Sequence, residues 1–204
     1  MTTFFAFLMF CIVAILIAAV IFTYFINPFR EGYSPKQKLN NAFGNYNKAE
    51  KESELKEKGD EFEKFTVTKF DNRYFKILDW RGDKFVDGVY AESSKNPDLE
   101  IEFSHKNISK KFAVECKYRS KIYDEVIITK QHKIDGYKNY SAKNKIPVFI
   151  VLGLGGKPSN PLECYIIPIK KVYNEKMPYT SLQKYRKHAT NNNFFFDADS
   201  LNLK

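Results

Sequence analysis

The stretch Pro97 to Lys117, PDLEIEFSHKNISKKFAVECK, holds three side chains whose types and order could do chemistry. Asp98 follows a proline, and Glu115 and Lys117 flank Cys116. Two carboxylates a few ångströms apart repel, and a hard divalent cation relieves that repulsion. Mg²⁺ takes oxygen ligands and keeps several waters, so such a site can activate a water and neutralise charge on a phosphate. A neighbouring lysine adds a point charge for the water or the phosphate. The chemistry in view is phosphodiester hydrolysis. The competing reading is a solvated hairpin, since charges on an exposed strand face need no function.

Strand alternation decides whether the three groups can meet. From Asp98 onward, Leu99, Ile101 and Phe103 share one face, and Asp98, Glu100 and Glu102 share the other. On the next strand Phe112, Val114 and Cys116 share a face opposite Ala113, Glu115 and Lys117. Packing both apolar faces on one core brings Asp98, Glu115 and Lys117 together on the other side. The E-x-K spacing alone is weak. A second copy, Glu54-Leu55-Lys56, lies in a polar stretch and reads as a solvated helix face. The Glu115 copy interrupts an apolar strand, FAVECKY, where charge needs a reason.

Asn96-Pro97-Asp98-Leu99-Glu100, a hairpin-length gap, and Ala113-Val114-Glu115-Cys116-Lys117 together resemble the PD-(D/E)XK nuclease superfamily, over roughly residues 59 to 169. The resemblance implies a restriction-endonuclease-like α/β fold, a mixed central β-sheet flanked by helices. It implies Mg²⁺ or Mn²⁺ held by Asp98, Glu115 and the Cys116 backbone, with Lys117 in the place of the family lysine. Gly59-x-x-Phe62-Glu63 resembles the first-helix pattern of some members, which adds Glu63 to the catalytic set. Gln131 resembles the glutamine of a Q-x-x-x-Y motif, although position 135 is Asp135 and the tyrosine comes at Tyr137. The implied substrate is DNA. Gln131, Lys130, Lys133 and Arg119, with Lys110, Lys111 and Lys121, are the expected phosphate contacts. A homodimer is left open as a further partner.

The elements that must position these groups follow from periodicity. Phe62, Phe65 and Phe70 lie at roughly helical spacing. Tyr74–Trp80, Leu99–Phe103, Phe112–Tyr118, Pro147–Leu154 and Glu163–Ile169 read as strands, and Ile128–Asn144 as a helix. Gly155-Gly156 should end the Pro147 strand. Phe85–Tyr90 reads as loop or strand, Thr180–His188 as a short helix and Asn193–Phe196 as a last strand. Helices interleaved with strands predict one α/β domain over residues 55–204.

Ahead of it, Phe4 to Ile26 is a 23-residue apolar run. At about 1.5 Å per residue it would cross a ~30 Å hydrocarbon core as a single transmembrane helix. Residues 27–54 form a polar spacer, expected to be partly helical, with a membrane-exit turn at Asn27 to Tyr33. Arg30, Lys36 and Lys38 follow the run and no Lys or Arg precedes it, which predicts a domain facing the cytoplasm, as at a prokaryotic inner membrane. The lipid bilayer is then a partner. All charge lies beyond the run, 33 basic against 24 acidic residues, for a net +9. That balance favours polyanions, nucleic acid or anionic lipid. Three cysteines without metal-ligand spacing, and histidines at 105, 132 and 188, argue against a zinc site or a disulfide framework. The alternative to an enzyme is a catalytically inactive nuclease-like module that binds nucleic acid or tethers an assembly to the membrane.

Overall fold

The computed structural model describes residues 2–21, 35–81, 85–86, 89–90 and 96–204. The chain divides into two units, residues 1–53 and 54–204. The first holds helix α1, Thr2–Ile21, and the start of helix α2, Pro35–Val67. Residues 35–54 of the spacer are helical. Among the described residues no helix is long and apolar enough to cross a membrane. The side chains described in α1 run only from 12 to 21, and residues 22–34, which include the end of the expected span and its exit turn, lie outside the described residues. The expected transmembrane span therefore draws no support from the structure.

In the second unit, six strands form one mixed sheet in the order β1-β4-β5-β7-β8-β10. These are β1 (Phe75–Trp80), β4 (Leu99–His105), β5 (Ile108–Arg119), β7 (Val148–Lys157), β8 (Asn160–Pro168) and β10 (Arg186–Lys187). The short strands β2 (Phe85–Val86) and β3 (Val89–Tyr90) pair with each other, as do β6 (Glu125–Ile127) with β9 (Lys176–Pro178) and β11 (Phe196–Asp197) with β12 (Asn202–Leu203). β4 and β5 form an antiparallel hairpin with Leu99 opposite Val114. β5 and β7 run parallel, joined through helix α3 (Gln131–Asn144), because parallel neighbours need a crossover.

Both faces of the sheet are covered, and the alternation says by what. Leu99, Ile101, Phe103, Phe112, Val114 and Cys116 all enter one core, against Phe62, Phe65 and Phe70. Ala113, Ile150, Leu152, Tyr165 and Ile167 enter the other, against Ile134 and Tyr137 of α3. The face that carries Glu115 is therefore roofed by a helix, not open to water.

Three element boundaries depart from the pattern. β7 continues through Gly155 and Gly156, which take positive φ of 63° and 68°, and it turns at residues 158–159. A Cβ at Gly156 would stand 2.8 Å from the Asn160 carbonyl oxygen, so the glycines let the β7–β8 hairpin close rather than ending the strand. The expected helix Thr180–His188 shrinks to α4 (Tyr179–Leu182) and a 3₁₀ turn. Arg186–Lys187 pairs with β8 instead, where Arg186 reaches buried Glu163 at 3.1 Å. The strand expected at Asn193–Phe196 forms at Phe196–Asp197 and pairs with a further strand, Asn202–Leu203.

Candidate active site

Asp98 ends the approach to β4, and Glu115 and Lys117 lie near the C-terminal end of β5. Glu115 is 2 % exposed, which removes the solvated-hairpin reading for this position. Its Oε1 receives the Tyr137 hydroxyl and the Lys117 ammonium. Its Oε2 is buried with no hydrogen-bond partner. Leaving a buried polar group unmatched costs about 1–3 kcal/mol, and more for a charged one. An orphaned carboxylate oxygen is thus a built feature that a bound cation would satisfy.

Asp98 is half-buried, and its Oδ2 accepts the Cys116 backbone N–H at 2.7 Å. In a strand the N–H and C=O of one residue project toward the same neighbour. The Cys116 carbonyl therefore lies on the edge of β5 that faces Asp98. Burial, then the Glu115 charge, pushes the Asp98 carboxyl well above its usual range, against the pull of Lys117 and the Cys116 N–H. Burial would lower Lys117, but Glu115 and Asp98 outweigh it and hold the ammonium charged. A quarter of the Lys117 side chain stays open to solvent, at 26 % exposure, so the site is reachable.

Glu63 projects from α2 one residue after Phe62, which is fully buried. Trp80 Nε1 donates to Glu63 Oε2 at 3.0 Å. Burial raises the Glu63 carboxyl, and the charges of Glu115 and Lys117 both reach it. With every group ionised, Asp98, Glu115, Glu63 and Lys117 sum to −2, which suits a divalent cation. Among the described residues no group of three or more His, Cys, Asp or Glu side chains is arranged to hold a metal. Two side-chain carboxylates and a backbone carbonyl form a donor set that contains no such triad, and Mg²⁺ fills its other positions with water. The residues present fit the ion on the strength of the Glu115 Oε2 orphan.

The other expected contacts are placed elsewhere. Gln131 donates its Nε2 to Asp135 Oδ1 at 3.0 Å, and its backbone N–H meets Glu175 Oε1 at 2.8 Å. The helix start thus engages a neighbouring loop, not the carboxylates. Arg119 gives its Nε and Nη2 to the carbonyls of Ile127 and Ile128, at 2.9 and 2.8 Å, and Nη1 to that of Tyr118. It clamps the chain leaving β5 rather than presenting its fork to a phosphate. Lys130, Lys110, Lys111 and Lys121 are exposed, and Lys133 is half-buried.

Tyr137, Arg81, Trp80 and Tyr140 join the site from outside the expected set. Tyr137 was noted only as a displaced motif residue, yet it is fully buried on Glu115. Arg81 lies outside every motif read from the sequence. Its backbone N–H meets the Asp98 carbonyl at 2.7 Å, and its guanidinium reaches the Pro97 carbonyl at 3.1 Å and Glu100 Oε2 at 3.2 Å. Tyr140 donates to the same Glu100 oxygen at 2.6 Å. The signal for the tyrosines was available: Ile134, Tyr137 and Tyr140 recur every third residue and form one helix face.

No protein-family model matches this chain, and no curated protein does. Among solved structures it is similar to Hjc of Archaeoglobus fulgidus, a Holliday junction resolvase from an archaeal hyperthermophile. The two share 14 % sequence identity at a TM-score of 0.45, over 69 % of this chain and 99 % of that one.

Proposed function

We propose that this chain is a PD-(D/E)XK-like, divalent-metal-dependent endonuclease that hydrolyses phosphodiester bonds of DNA. The observation that carries the reading is the buried, unmatched Glu115 Oε2 beside an Asp98 carboxylate tied to the Cys116 N–H. Asp98, Glu115 and the Cys116 carbonyl would hold Mg²⁺ or Mn²⁺, which supplies charge neutralisation and a more acidic bound water. The chain's own groups do the rest. Lys117, held charged by Glu115, offers a proton donor and a positive charge at the mouth of the site. Tyr137 fixes the Glu115 rotamer, and Trp80 fixes Glu63. Arg81 holds the Pro97–Asp98 backbone in place.

The sequence alone supports a membrane tether, through the apolar run Phe4 to Ile26, and a cytoplasmic orientation through the basic residues after it. Extraction of membranes with alkaline carbonate tests it: a tethered chain stays in the pellet, and release into the supernatant would remove the proposal.

The decisive test is incubation of the purified chain with supercoiled plasmid and Mg²⁺ or Mn²⁺. Nicked or linear product is expected from the wild type and none from Asp98→Ala, with the circular dichroism of the variant unchanged. Cleavage by Asp98→Ala at the wild-type rate would refute the site. Salt-sensitive DNA binding without product under any metal would favour the inactive binding module.

A further inference from the structure

A second feature lies at the opposite edge of the sheet and has no part in the site above. Where β10 closes the sheet beside β8, the surface folds into an open groove of about 670 Å³. Lys170, Lys171, Lys184, Arg186, Lys187 and Lys204 line it, and among the described residues no Asp or Glu does. Some of this charge is answered from behind. Arg186 meets Glu163 at 3.1 Å, and Lys204 stands 3.9 Å from Asp197. Lys170 and Lys171, on the exposed side of the 3₁₀ turn after β8, have no acidic partner among the described residues. Lys187 is half-buried, which lowers its ammonium from the usual value, and its Nζ donates to the Asn193 carbonyl at 3.0 Å. A fold that keeps six cations here without an acid in the lining is arranged for an anion with several charges.

Register relates the groove to the carboxylates. Lys117 stands opposite Leu152, Leu152 opposite Tyr165, and Tyr165 opposite Arg186. The row passes through buried Leu152 and Tyr165, so it measures a separation within the sheet, three strand spacings or about 14 Å, and not a path over the surface. A concave groove lined by cations suits a phosphate backbone. A planar bilayer would meet its rim and leave its floor unfilled.

We propose that this groove binds the sugar-phosphate backbone of nucleic acid, extending the contact well beyond the bond held at Asp98 and Glu115. The proposal rests on reading that site as a nuclease centre, but its test does not need catalysis. Binding of the full chain, in neutral detergent with EDTA, to a labelled duplex is measured as a function of salt. Each phosphate contact contributes about 0.9 to the slope of log Kobs against log salt. The double variant Lys170→Ala/Lys171→Ala should therefore lower the slope by about 1.8, with unchanged circular dichroism. The control Lys48→Ala/Lys51→Ala removes the same charge from the exposed side of α2. It should leave the slope near the wild-type value.

A wild-type slope in the groove variant overturns the proposal. So does an equal fall in the control, which would reduce the effect to net charge. A third arm uses vesicles containing phosphatidylserine: loss of vesicle binding with the DNA slope retained would assign the groove to lipid and overturn it. If the slope falls as expected while no metal supports cleavage, the groove stands and the nuclease reading fails.

Discussion

Replacing Tyr137 by phenylalanine isolates one interaction on which the site's geometry depends. The hydroxyl donates to Glu115 Oε1, the ring is fully buried, and Glu115 is 2 % exposed. Neither solvent nor salt screens such a contact appreciably, and the substitution keeps the ring and opens almost no cavity. Hydrogen bonds to charged groups contribute about 1.5–3 kcal/mol. For a unit of this size that corresponds to a fall in melting temperature of about 3–12 °C, at roughly 2–4 °C per kcal/mol. The measurement is urea unfolding followed by circular dichroism, on the full chain in neutral detergent with EDTA. The same substitution in a Glu115→Leu background should cost much less, because the charged acceptor is gone. A loss below about 0.5 kcal/mol, or the same loss in both backgrounds, would refute the claim that Tyr137 acts through Glu115.

Asp98→Asn should raise the stability of the metal-free protein at neutral pH and abolish its stabilisation by Mn²⁺. The folded carboxyl is raised above its ordinary value of 3.8, so the folded state holds the proton longer. Stability should then fall as pH rises from about 4 toward the raised value, and in Asp98→Asn the fall should be shallower, as melting at a series of pH values would report. Arg81→Ala should lower cleavage with a smaller effect on DNA affinity, since it removes the guanidinium from the Pro97 carbonyl and Glu100 while keeping the backbone N–H on Asp98; rescue by lysine would argue against the two-point guanidinium contact. Gly153→Ala sets a Cβ 2.4 Å from Phe62 Cε2, and overpacking of about 1–3 kcal/mol should displace Phe62 and its neighbour Glu63. A stability loss under that range, with activity intact, would dissociate Phe62 packing from the site.

Much of the architecture is written in residue spacing. The alternation from Leu99 to Phe103 and from Phe112 to Cys116 separates the core side chains from the carboxylate face, and every one of those apolar residues is buried as the pattern requires. What covers the carboxylate face is not in those strands. It depends on α3, whose low overall apolarity hides the inward row of Ile134 and Tyr137. The clamp by Arg81 was equally hidden, because its partners at residues 97 to 100 are set by how β1 lies against β4, and pairing is a long-range property. Gly155 and Gly156 were legible as turn-formers, but not as residues that a strand would use to bend. Two glycines signal permitted backbone conformations, and only the close approach to Asn160 selects among them.

The arrangement at Glu115 is costly in a way that argues for a ligand. A buried carboxylate could be satisfied by Lys117 and Tyr137 if both oxygens were engaged, yet both donors converge on Oε1. Asp98 adds a second carboxylate whose charge is opposed by burial and by Glu115, and Glu63 brings a third close enough to raise it further. A purely structural polar network tends toward full pairing, because half-satisfied ones destabilise the fold more than an apolar replacement would. One oxygen left bare among three carboxylates and one lysine is the feature on which the proposed cation site rests. The stability that Asp98→Asn should restore is then a measure of what the fold gives up to keep that site ready.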